Sequence, residues 1–415
     1  MGRTSRKRHQ KKKLNVRELN AKDIAQNEEE ILMHLKDWLL ANNCLVVYDL
    51  VPFNFPVTGR GLKTLKDIKS KDVLIQIPYK ILITTSTLSE SPINTLFSKN
   101  KCYSAQCILS VFLIYEQHLG NASKWYHYIR SLPQTLANPD FCTSKEKRLL
   151  PTFIMDYMQE FHKVQNDFCL LVESMNIVNE QINCPHCSEH IKTIITFERY
   201  KWAYYIVNTR AIYMDTSQME RNPGFTSNIK HPNNLALAPF LDLFNHDIHT
   251  AVQVSVTTNK NDDKFYEIIS LKAFDKGSQT FINYGSHNSL KLYVDYGFFI
   301  PNNPLDEVYF DIVNIQTCFN IPKSKLDFIV QNNLHKNMAF VRQGLNYNAL
   351  YALFIVSTKL QRQCWSAKIY GDALTPEDTE NIYNIAKKIW NLKKDELVNH
   401  IRNMKECYQN FVTFQ

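Results

Sequence analysis

The stretch that decides the fold is Asp-Leu-Phe-Asn-His-Asp (residues 242–247), read together with Asn-Tyr-Gly-Ser-His-Asn-Ser (residues 283–289). The first stretch supplies an Asn-His pair. The second supplies a Tyr-Gly turn, which is followed by another Tyr-Gly at Tyr296-Gly297. Together they offer polar donors, phenol groups and two places where the backbone can turn tightly. The combination predicts that these side chains converge around one cavity.

Length and composition predict a large globular protein. The chain has 415 residues, which exceeds what one hydrophobic core usually holds, so we expect two domains. Apolar residues make up 44% and aromatic residues 12%, which excludes low-complexity disorder for most of the length. The ten cysteines are scattered along the chain, a pattern typical of free thiols in a reducing compartment and not of a disulfide framework.

The positive charge is concentrated at the N-terminus. The net charge is +8, but residues 1–13 carry seven basic side chains and no acidic one, which leaves +1 for the rest. Such a run suits nuclear import or loose contact with a polyanion, and a solvated end with no specific partner is the alternative. Because the remainder is nearly neutral, we expect nucleic acid to bind at most through this tail.

Targeting signals are also informative. The sequence has no apolar run near the ~20 residues that a membrane span requires. Its beginning lacks the apolar core of a signal peptide. We therefore expect a soluble protein of the nucleus and cytoplasm with no membrane contact.

The order of predicted elements indicates an α+β protein. Apolar residues at helical spacing predict a helix over Glu28–Leu40, and β-like runs follow at Leu45–Tyr48 and Val73–Ile77. Residues from about 100 to 215 have helical patterns, including a long amphipathic stretch over Leu149–Met175. Short strands return over residues 236–300.

The last part of the chain is predicted to be helical from Pro301 to its end. Thr375-Pro376-Glu377-Asp378 has the features of a helix start, with a threonine N-cap and proline at the first helical position. Apolar residues then recur at spacings of three and four, as in amphipathic helices that pack on one another.

Several residues combine chemistry with an unusual position. Gly59-Arg60-Gly61 is not a dinucleotide-binding fingerprint, because Thr64 stands where a third glycine belongs; it is either a tight β-turn or a ligand-binding turn. The charged Arg210 and Asp242 lie in apolar segments, where a mutual ion pair would offset the cost of burial.

Two further groups of residues are explained either by ordinary core packing or by a functional site. Asn245 and His246 follow a mostly apolar run and are either satisfied polar groups of a core or part of a site. The aromatic group of Tyr284, Tyr296, Phe298 and Phe299 is either core or the wall of a site.

One cysteine pair has the spacing of metal ligands. Cys184-Pro-His-Cys187, with His190 nearby, is a single Cys-x-x-Cys without a second pair at zinc spacing. We therefore expect no metal, and zinc at this pair is the alternative.

Five motifs in this order resemble the SET-domain methyltransferases, in the branch built like Rubisco large-subunit methyltransferase. The resemblance covers about residues 30–410. Its motifs are Thr58–Leu62, Val207–Ala211, Leu237–His246, Tyr284-Gly285 and Asp295–Phe298.

The resemblance implies a β-rich SET domain interrupted by a helical insert and followed by an all-α substrate-binding domain. The implied boundaries are a SET domain over 29–300 with its insert at about 95–231 and a helical domain over 301–415, and composition predicts a basic disordered tail over residues 1–28 before them.

The resemblance also implies methyl transfer from S-adenosylmethionine to a lysine side chain, with Tyr284 as the catalytic phenol. The implied cofactor-binding residues are Gly59, Arg60, Gly61, Arg210, Asp242, Asn245, His246, Tyr284 and Phe298. The implied walls of the lysine channel are Ile212, Leu241, Tyr296 and Phe298. Asp247 departs from the family, where serine commonly follows Asn-His.

The expected partner is a lysine-bearing protein, such as a histone or another nuclear or cytosolic protein, and the expected state is a monomer. Two alternatives stay open. One is a protein-histidine methyltransferase, and the other is a catalytically silent SET fold that acts as a binding module.

Overall fold

The computed structural model describes residues 28–45, 49–97, 101–158, 160–177, 182–214 and 229–413. The basic run of residues 1–13, almost all of the predicted tail and residues 46–48 of the predicted first strand lie outside these ranges. None of the helices in these ranges combines the length and the apolar character needed to cross a lipid bilayer.

The chain divides into two compact units. The first takes its described residues from 1–136 and 159–286, and the second from 137–158 and 287–415. This division assigns residues 287–300 to the unit that holds the C-terminal helices. The end of the SET domain at residue 300 was inferred from the family resemblance and stays a prediction.

The strands of the first unit form three small sheets. The strands are β1 (Leu50–Phe55), β2 (Gly59–Thr64), β3 (Val73–Pro78), β4 (Ala211–Tyr213), β5 (Leu235–Leu237), β6 (Asn245–His246), β7 (Val252–Thr258), β8 (Lys264–Ser270) and β9 (Gln279–Ile282). A four-stranded sheet has the order β1-β2-β9-β6, a three-stranded sheet has the order β3-β8-β7, and β4 pairs with β5.

Helices separate β3 from β4 along the chain, and a helix over residues 28–41, α1, precedes β1. The further helices up to β4 are α2 (Thr85–Ser89), α3 (Ala105–Leu119), α4 (Tyr126–Ser131), α5 (Ser144–Lys147), α6 (Thr152–Tyr157), α7 (Glu160–Ile177), α8 (Ile191–Ile194) and α9 (Phe197–Arg210). Of these, α5 and α6 belong to the second unit.

Side-chain caps start the two helices at the centre of the first unit. The Ser104 hydroxyl accepts the backbone N–H of Cys107 at the start of α3, and the Thr196 hydroxyl accepts that of Arg199 at the start of α9. The two helices pack on each other through buried side chains that include Phe112. This packing sets the position of Arg210, the last residue of α9.

A short parallel pairing brings the two deciding stretches of sequence together. Strand β6 pairs with β9 in parallel, so that Asn245 lies opposite Phe281 and His246 lies opposite Ile282. Strand β9 also pairs antiparallel with β2, where Leu62 lies opposite Thr280. Three distant segments thus meet at one sheet.

The second unit is mainly helical. Besides α5 and α6, its described helical segments are the 3-10 helix Pro139–Phe141, Ser289–Lys291, the π-helical turn Leu292–Tyr296, Ile312–Cys318, Lys323–Gln331, Tyr347–Ser357, Arg362–Tyr370 and Pro376–Thr413. Its core is a cluster of buried apolar side chains that includes Leu353, Phe354 and Trp365. Gly297 ends the π-helical turn at φ +80°, and a Cβ there would lie 2.8 Å from the backbone carbon of Ala137. No other residue type fits this position without a shift of the chain.

The prediction of a purely helical C-terminal region was incomplete. The second unit also contains a three-stranded sheet of β10 (Val308–Tyr309), β11 (Ala339–Val341) and β12 (Gly344–Leu345). Strands of two or three residues are too short to produce an alternating pattern, so the sequence could not reveal them. The α+β class itself is confirmed.

Two helix predictions can be compared directly with the structure. The stretch over Leu149–Met175 is not one helix, because α6 ends where the N–H of Met158 bonds to the carbonyls of Ile154 and Met155. The predicted helix start at Thr375 is confirmed. The Thr375 hydroxyl accepts the N–H of Asp378, and the Asp378 carboxylate accepts the N–H of Thr375.

Candidate functional site

The turn between β1 and β2 has a conformation and a crowding that require glycine. Gly59 has φ +67°, in the left-handed region. A Cβ on Gly61 would lie 2.4 Å from Gln279 Nε2 and 2.7 Å from Asn245 Nδ2. The turn is therefore both a tight β-turn and a place where side chains approach the backbone closely.

Asn245 ties this turn to β6. Its Nδ2 donates to the carbonyl of Arg60 over 3.1 Å and lies 3.3 Å from the carbonyl of Thr58. Thr58 in turn donates its hydroxyl to Gln279 Oε1 over 2.7 Å. Asn245 is half-buried and thus bridges the turn instead of filling a core.

Tyr284 is held at both its backbone and its phenol. Its N–H donates to His246 Nδ1 over 3.1 Å, and its hydroxyl donates to the carbonyl of Phe244 over 2.5 Å. The rings of His246 and Tyr284 are stacked with centroids 5.2 Å apart and an interplanar angle of 23°. The Asn-His pair and the Tyr-Gly turn therefore converge, as the sequence predicts.

Arg210 and Asp242 form the buried ion pair that their apolar surroundings suggested. Arg210 Nη1 lies 3.1 Å from Asp242 Oδ2 and donates to the Asp242 carbonyl over 2.9 Å. The side chain of Asp242 is only 2% exposed. Tyr128 from α4 donates its hydroxyl to Asp242 Oδ2 over 3.2 Å. Burial, and then the charge of Asp242, raise the pKa of Tyr128 well above its usual value, so the phenol remains a donor.

Two polar atoms of this ion pair have no hydrogen-bond partner within the described part of the chain. They are Arg210 Nε, a donor, and Asp242 Oδ1, an acceptor, and both are buried. Buried polar atoms are normally satisfied, so a pair of opposite character beside a glycine turn fits a ligand that carries both an acceptor and a donor. The amino-acid end of a cofactor is such a ligand.

Arg60 links the turn to α4 and to the ion pair of Arg210 and Asp242. Its Nη2 donates to the carbonyl of Ser131, the last residue of α4, over 2.9 Å. Burial and then the charge of Arg210 lower the pKa of Arg60, while the carboxylate of Asp242 partly offsets them. Arg60, Arg210 and Asp242 therefore belong to one charged group.

Asp247, the departure from the family pattern, is engaged in its own loop. Its carboxylate accepts the Thr250 hydroxyl over 2.7 Å and the His249 N–H over 3.1 Å, and it pairs with Lys272 at 3.1 Å. Burial opposes ionisation, but these three partners lower the pKa of Asp247. The residue therefore caps a turn.

The predicted channel residues are divided between the two units. Ile212 in β4 is half-buried and Leu241 is buried, and both belong to the first unit. Tyr296 and Phe298 belong to the second unit, where their ring centroids are 6.2 Å apart. Their assignment to a substrate channel, and that of Phe298 to the cofactor, stay predictions.

Four residues of this arrangement were missed from the sequence. Tyr128 and Ser131 contact the predicted residues Asp242 and Arg60 from a distant segment, and Gln279 contacts Thr58, so no local signal marks these three. Thr58 begins the Thr58–Leu62 motif but was not predicted as a site residue, and its position directly before the glycine turn is the signal that could have identified it.

Comparisons with known proteins identify the family of this chain. The family model described as "SET domain" matches residues 59–285. A protein of Artemia parthenogenetica named "SET domain-containing protein 4" is 30% identical over 388 residues, which are 90% of this chain and 90% of that protein. A Danio rerio protein named "Actin-histidine N-methyltransferase" is 28% identical over 259 residues, 61% of this chain and 40% of that protein.

A solved structure has the same fold. The SET domain of LSMT bound to lysine and AdoHcy superposes with a TM-score of 0.60 and is 19% identical in sequence. The match covers 92% of this chain and 80% of that one.

Proposed function

This chain belongs to the SET-domain family, and from that premise we propose that it is an S-adenosylmethionine-dependent protein methyltransferase that acts on lysine. The proposal takes its cofactor and its target from the neighbour bound to lysine and AdoHcy. It takes its catalytic group from the position of Tyr284 in this chain.

The observation that carries the proposal is the fixed phenol of Tyr284. Its hydroxyl donates to the Phe244 carbonyl over 2.5 Å, and its ring stacks on His246. Because the hydroxyl hydrogen is directed to Phe244, the phenol oxygen acts toward a substrate amine as an acceptor. Because its ring and its hydroxyl are both fixed, the phenol can orient such an amine without a change in its own position.

S-adenosylmethionine, when bound, supplies a methyl group on a positively charged sulfur. The residues that would hold it are the Gly59–Gly61 turn, Arg210, Asp242, Asn245 and His246. Arg210 Nε and Asp242 Oδ1, which have no partner in the described ranges, support this assignment. The absence of a side chain at Gly61 lets the amide groups of Asn245 and Gln279 approach the backbone of the turn closely.

The amine must be neutral to act as a nucleophile. Lysine has an ordinary pKa of ~10.4, so presenting the neutral form at pH 7 costs about 4–5 kcal/mol. An apolar, partly dry environment disfavours the ammonium form and offsets much of that cost. Leu241 is buried and Ile212 is half-buried, which supports such an environment beside the charged group.

Methyl transfer from a labelled cofactor tests the proposal directly. The purified full chain is incubated with labelled S-adenosylmethionine and a cell lysate, and labelled sites are mapped by mass spectrometry. We expect label on lysine. Isothermal titration calorimetry with S-adenosylmethionine is the second readout. A chain that shows neither label nor saturable heat is a silent binding module, and the proposal is then wrong.

Histidine is the second candidate target, because actin-histidine methyltransferases are among the relatives. Acid hydrolysis of the labelled proteins followed by amino-acid analysis separates methyl-lysine from methyl-histidine. Purified actin and purified histones serve as defined substrates in the same assay. Label on histidine alone overturns the lysine assignment but leaves the methyltransferase proposal intact.

The substrate is proposed to be a nuclear or cytosolic protein, histones included, and the enzyme is proposed to act as a monomer. The basic run of residues 1–13 supports nuclear localisation, since such runs serve in nuclear import. Imaging of the tagged chain with and without this run tests localisation, and light scattering during gel filtration tests the monomer.

A further inference from the structure

Three side chains that the proposed methyl transfer does not use meet in the first unit. His118 lies near the end of α3, and Cys184 and Cys187 lie in the segment before α8. One ring nitrogen and two sulfurs from these residues all lie within 4.8 Å of one another. His118 Nε2 and Cys187 Sγ are 3.1 Å apart. In a tetrahedral zinc site such atoms are separated by about 3.5–3.8 Å, given Zn–S and Zn–N bonds of about 2.3 and 2.0 Å.

The cysteine segment is a tight loop that is closed by its own backbone. Ser188 has φ +64°, and its N–H bonds to the Cys184 carbonyl over 2.8 Å. Glu189 closes the loop by accepting the Cys184 N–H over 2.8 Å. These contacts hold Cys184 and Cys187 on one short loop, and cysteine binds metals through its sulfur.

The imidazole of His118 has a carboxylate on its other side. Its Nδ1 lies 3.9 Å from Glu189 Oε2. The other oxygen of Glu189 accepts the Thr193 hydroxyl over 2.9 Å. Metal-binding histidines commonly have a carboxylate at the nitrogen that does not face the metal, and this partner sets the tautomer. The arrangement leaves Nε2 directed at the sulfurs.

We propose that His118, Cys184 and Cys187 bind one zinc ion, with water as the fourth ligand. Thiolate and imidazole ligands together favour zinc among the common divalent ions, and two thiolates balance its charge. Cys184 is 2% exposed whereas Cys187 is exposed, so the ion has one buried side and one side open to water. The sequence alone predicted no metal here, because His118 precedes Cys187 by 69 positions and lies outside every zinc-spacing pattern.

In the proposed site the ion cross-links two segments of the first unit. It joins the segment around residues 184–187 to α3, and α3 packs against α9, which ends at Arg210. The site therefore stabilises the helices that position one member of the charged group. Metal removal should lower the melting temperature of the chain.

Cobalt titration of the metal-free full chain, kept reduced, tests the site. We expect one equivalent to bind with a thiolate-to-cobalt charge-transfer band and the visible bands of a tetrahedral ion, and zinc to displace it. His118→Gln and Cys187→Ser should each weaken cobalt binding at least 10-fold. Glu189→Gln should weaken it by about 10–100-fold. Cys169→Ser is the matched control, because Cys169 is an exposed thiol on α7 outside the cluster and should change nothing.

Two results would overturn the proposal. One is a reduced wild-type chain that binds no cobalt with a charge-transfer band. The other is His118→Gln with wild-type cobalt affinity. Circular dichroism checks that each variant is folded. If His118→Gln does not fold, Cys187→Ser provides the test, because Cys187 is exposed. Cobalt binding does not depend on methyl transfer. Failure of the zinc-site proposal is therefore distinguishable from failure of the proposed function.

Discussion

Tyr284 is held by three interactions that act on different parts of the residue. Its N–H bonds to His246, its ring stacks on the same imidazole, and its hydroxyl bonds to Phe244. The backbone and ring interactions do not need the hydroxyl. Removal of that single oxygen therefore separates a catalytic role from a structural one.

We predict that Tyr284→Phe keeps the fold and the affinity for S-adenosylmethionine but lowers turnover about 100-fold or more, as loss of one preorganised polar group in an active site typically does. Calorimetry measures the affinity, and label incorporation measures the turnover. Tyr213→Phe is the control, since Tyr213 is 76% exposed on β4. Equal turnover in both variants would remove Tyr284 from the catalytic role.

The two glycines of the first turn are constrained for different reasons, so their alanine variants should differ. Gly61→Ala places a Cβ 2.7 Å from Asn245 Nδ2 and should displace the amide from the Arg60 carbonyl. Because a hydrogen bond contributes about 1 kcal/mol, cofactor affinity should fall about 5–10-fold.

Gly59→Ala is the matched control. A Cβ there meets nothing within 4 Å, but the residue keeps φ +67°. We expect a stability loss of about 1–2 kcal/mol, from the left-handed conformation, with little change in cofactor affinity. Urea unfolding and calorimetry on both variants check the pair. An unchanged affinity in Gly61→Ala would show that Asn245 does not act through the turn.

At the scale of elements, the approach of α4 to α1 creates a pH-dependent contact. His127 on α4 and His34 on α1 have ring centroids 5.8 Å apart. Burial, followed by the charges of His34 and Arg130, lowers the pKa of His127, and Asp37 opposes them. In the window between this lowered pKa and the ordinary ~6.5, the unfolded chain binds more protons than the folded one. Stability from this group therefore rises with pH across the window and is fully present only above about pH 6.5.

We predict that the melting temperature of the wild type rises more steeply between about pH 5 and 7 than that of His127→Gln. Calorimetric melts at several pH values measure both slopes. His249→Gln is the control, because His249 is exposed in a loop and its N–H, not its ring, bonds to Asp247. Parallel slopes for wild type and His127→Gln would contradict the prediction.

At the scale of the whole molecule, charge is distributed unevenly along the chain. Residues 1–13 account for seven of the net eight positive charges. Attraction between a polyanion and such a run depends on the number of phosphates or sulfates it neutralises.

We predict that deletion of residues 1–13 shifts elution from a heparin column to clearly lower salt, without a change in cofactor affinity. A chain in which the seven basic residues are replaced by glutamine should elute like the deletion. If both variants elute with the wild type, the nearly neutral remainder must carry a basic surface that composition does not reveal.

Local patterns account for the part of the site that was predictable. Asn245-His246 and Tyr284-Gly285 are motifs of adjacent residues, and the Thr375 cap is a four-residue pattern. Such features are set by backbone conformation and short-range hydrogen bonds, which sequence spacing reports directly. The short strands of the second unit left no such pattern.

The sequence by itself determined the α+β class and the family and predicted candidate site residues, because each rests on residue types at short spacing. Only the tertiary structure decided that Tyr284 stacks on His246, that Tyr128 bonds to Asp242, and that His118 joins the two cysteines. These contacts depend on the parallel pairing of β6 with β9 and on helix packing in the first unit. Pairing and packing are chosen by the free energy of the whole fold, which no local stretch of sequence contains.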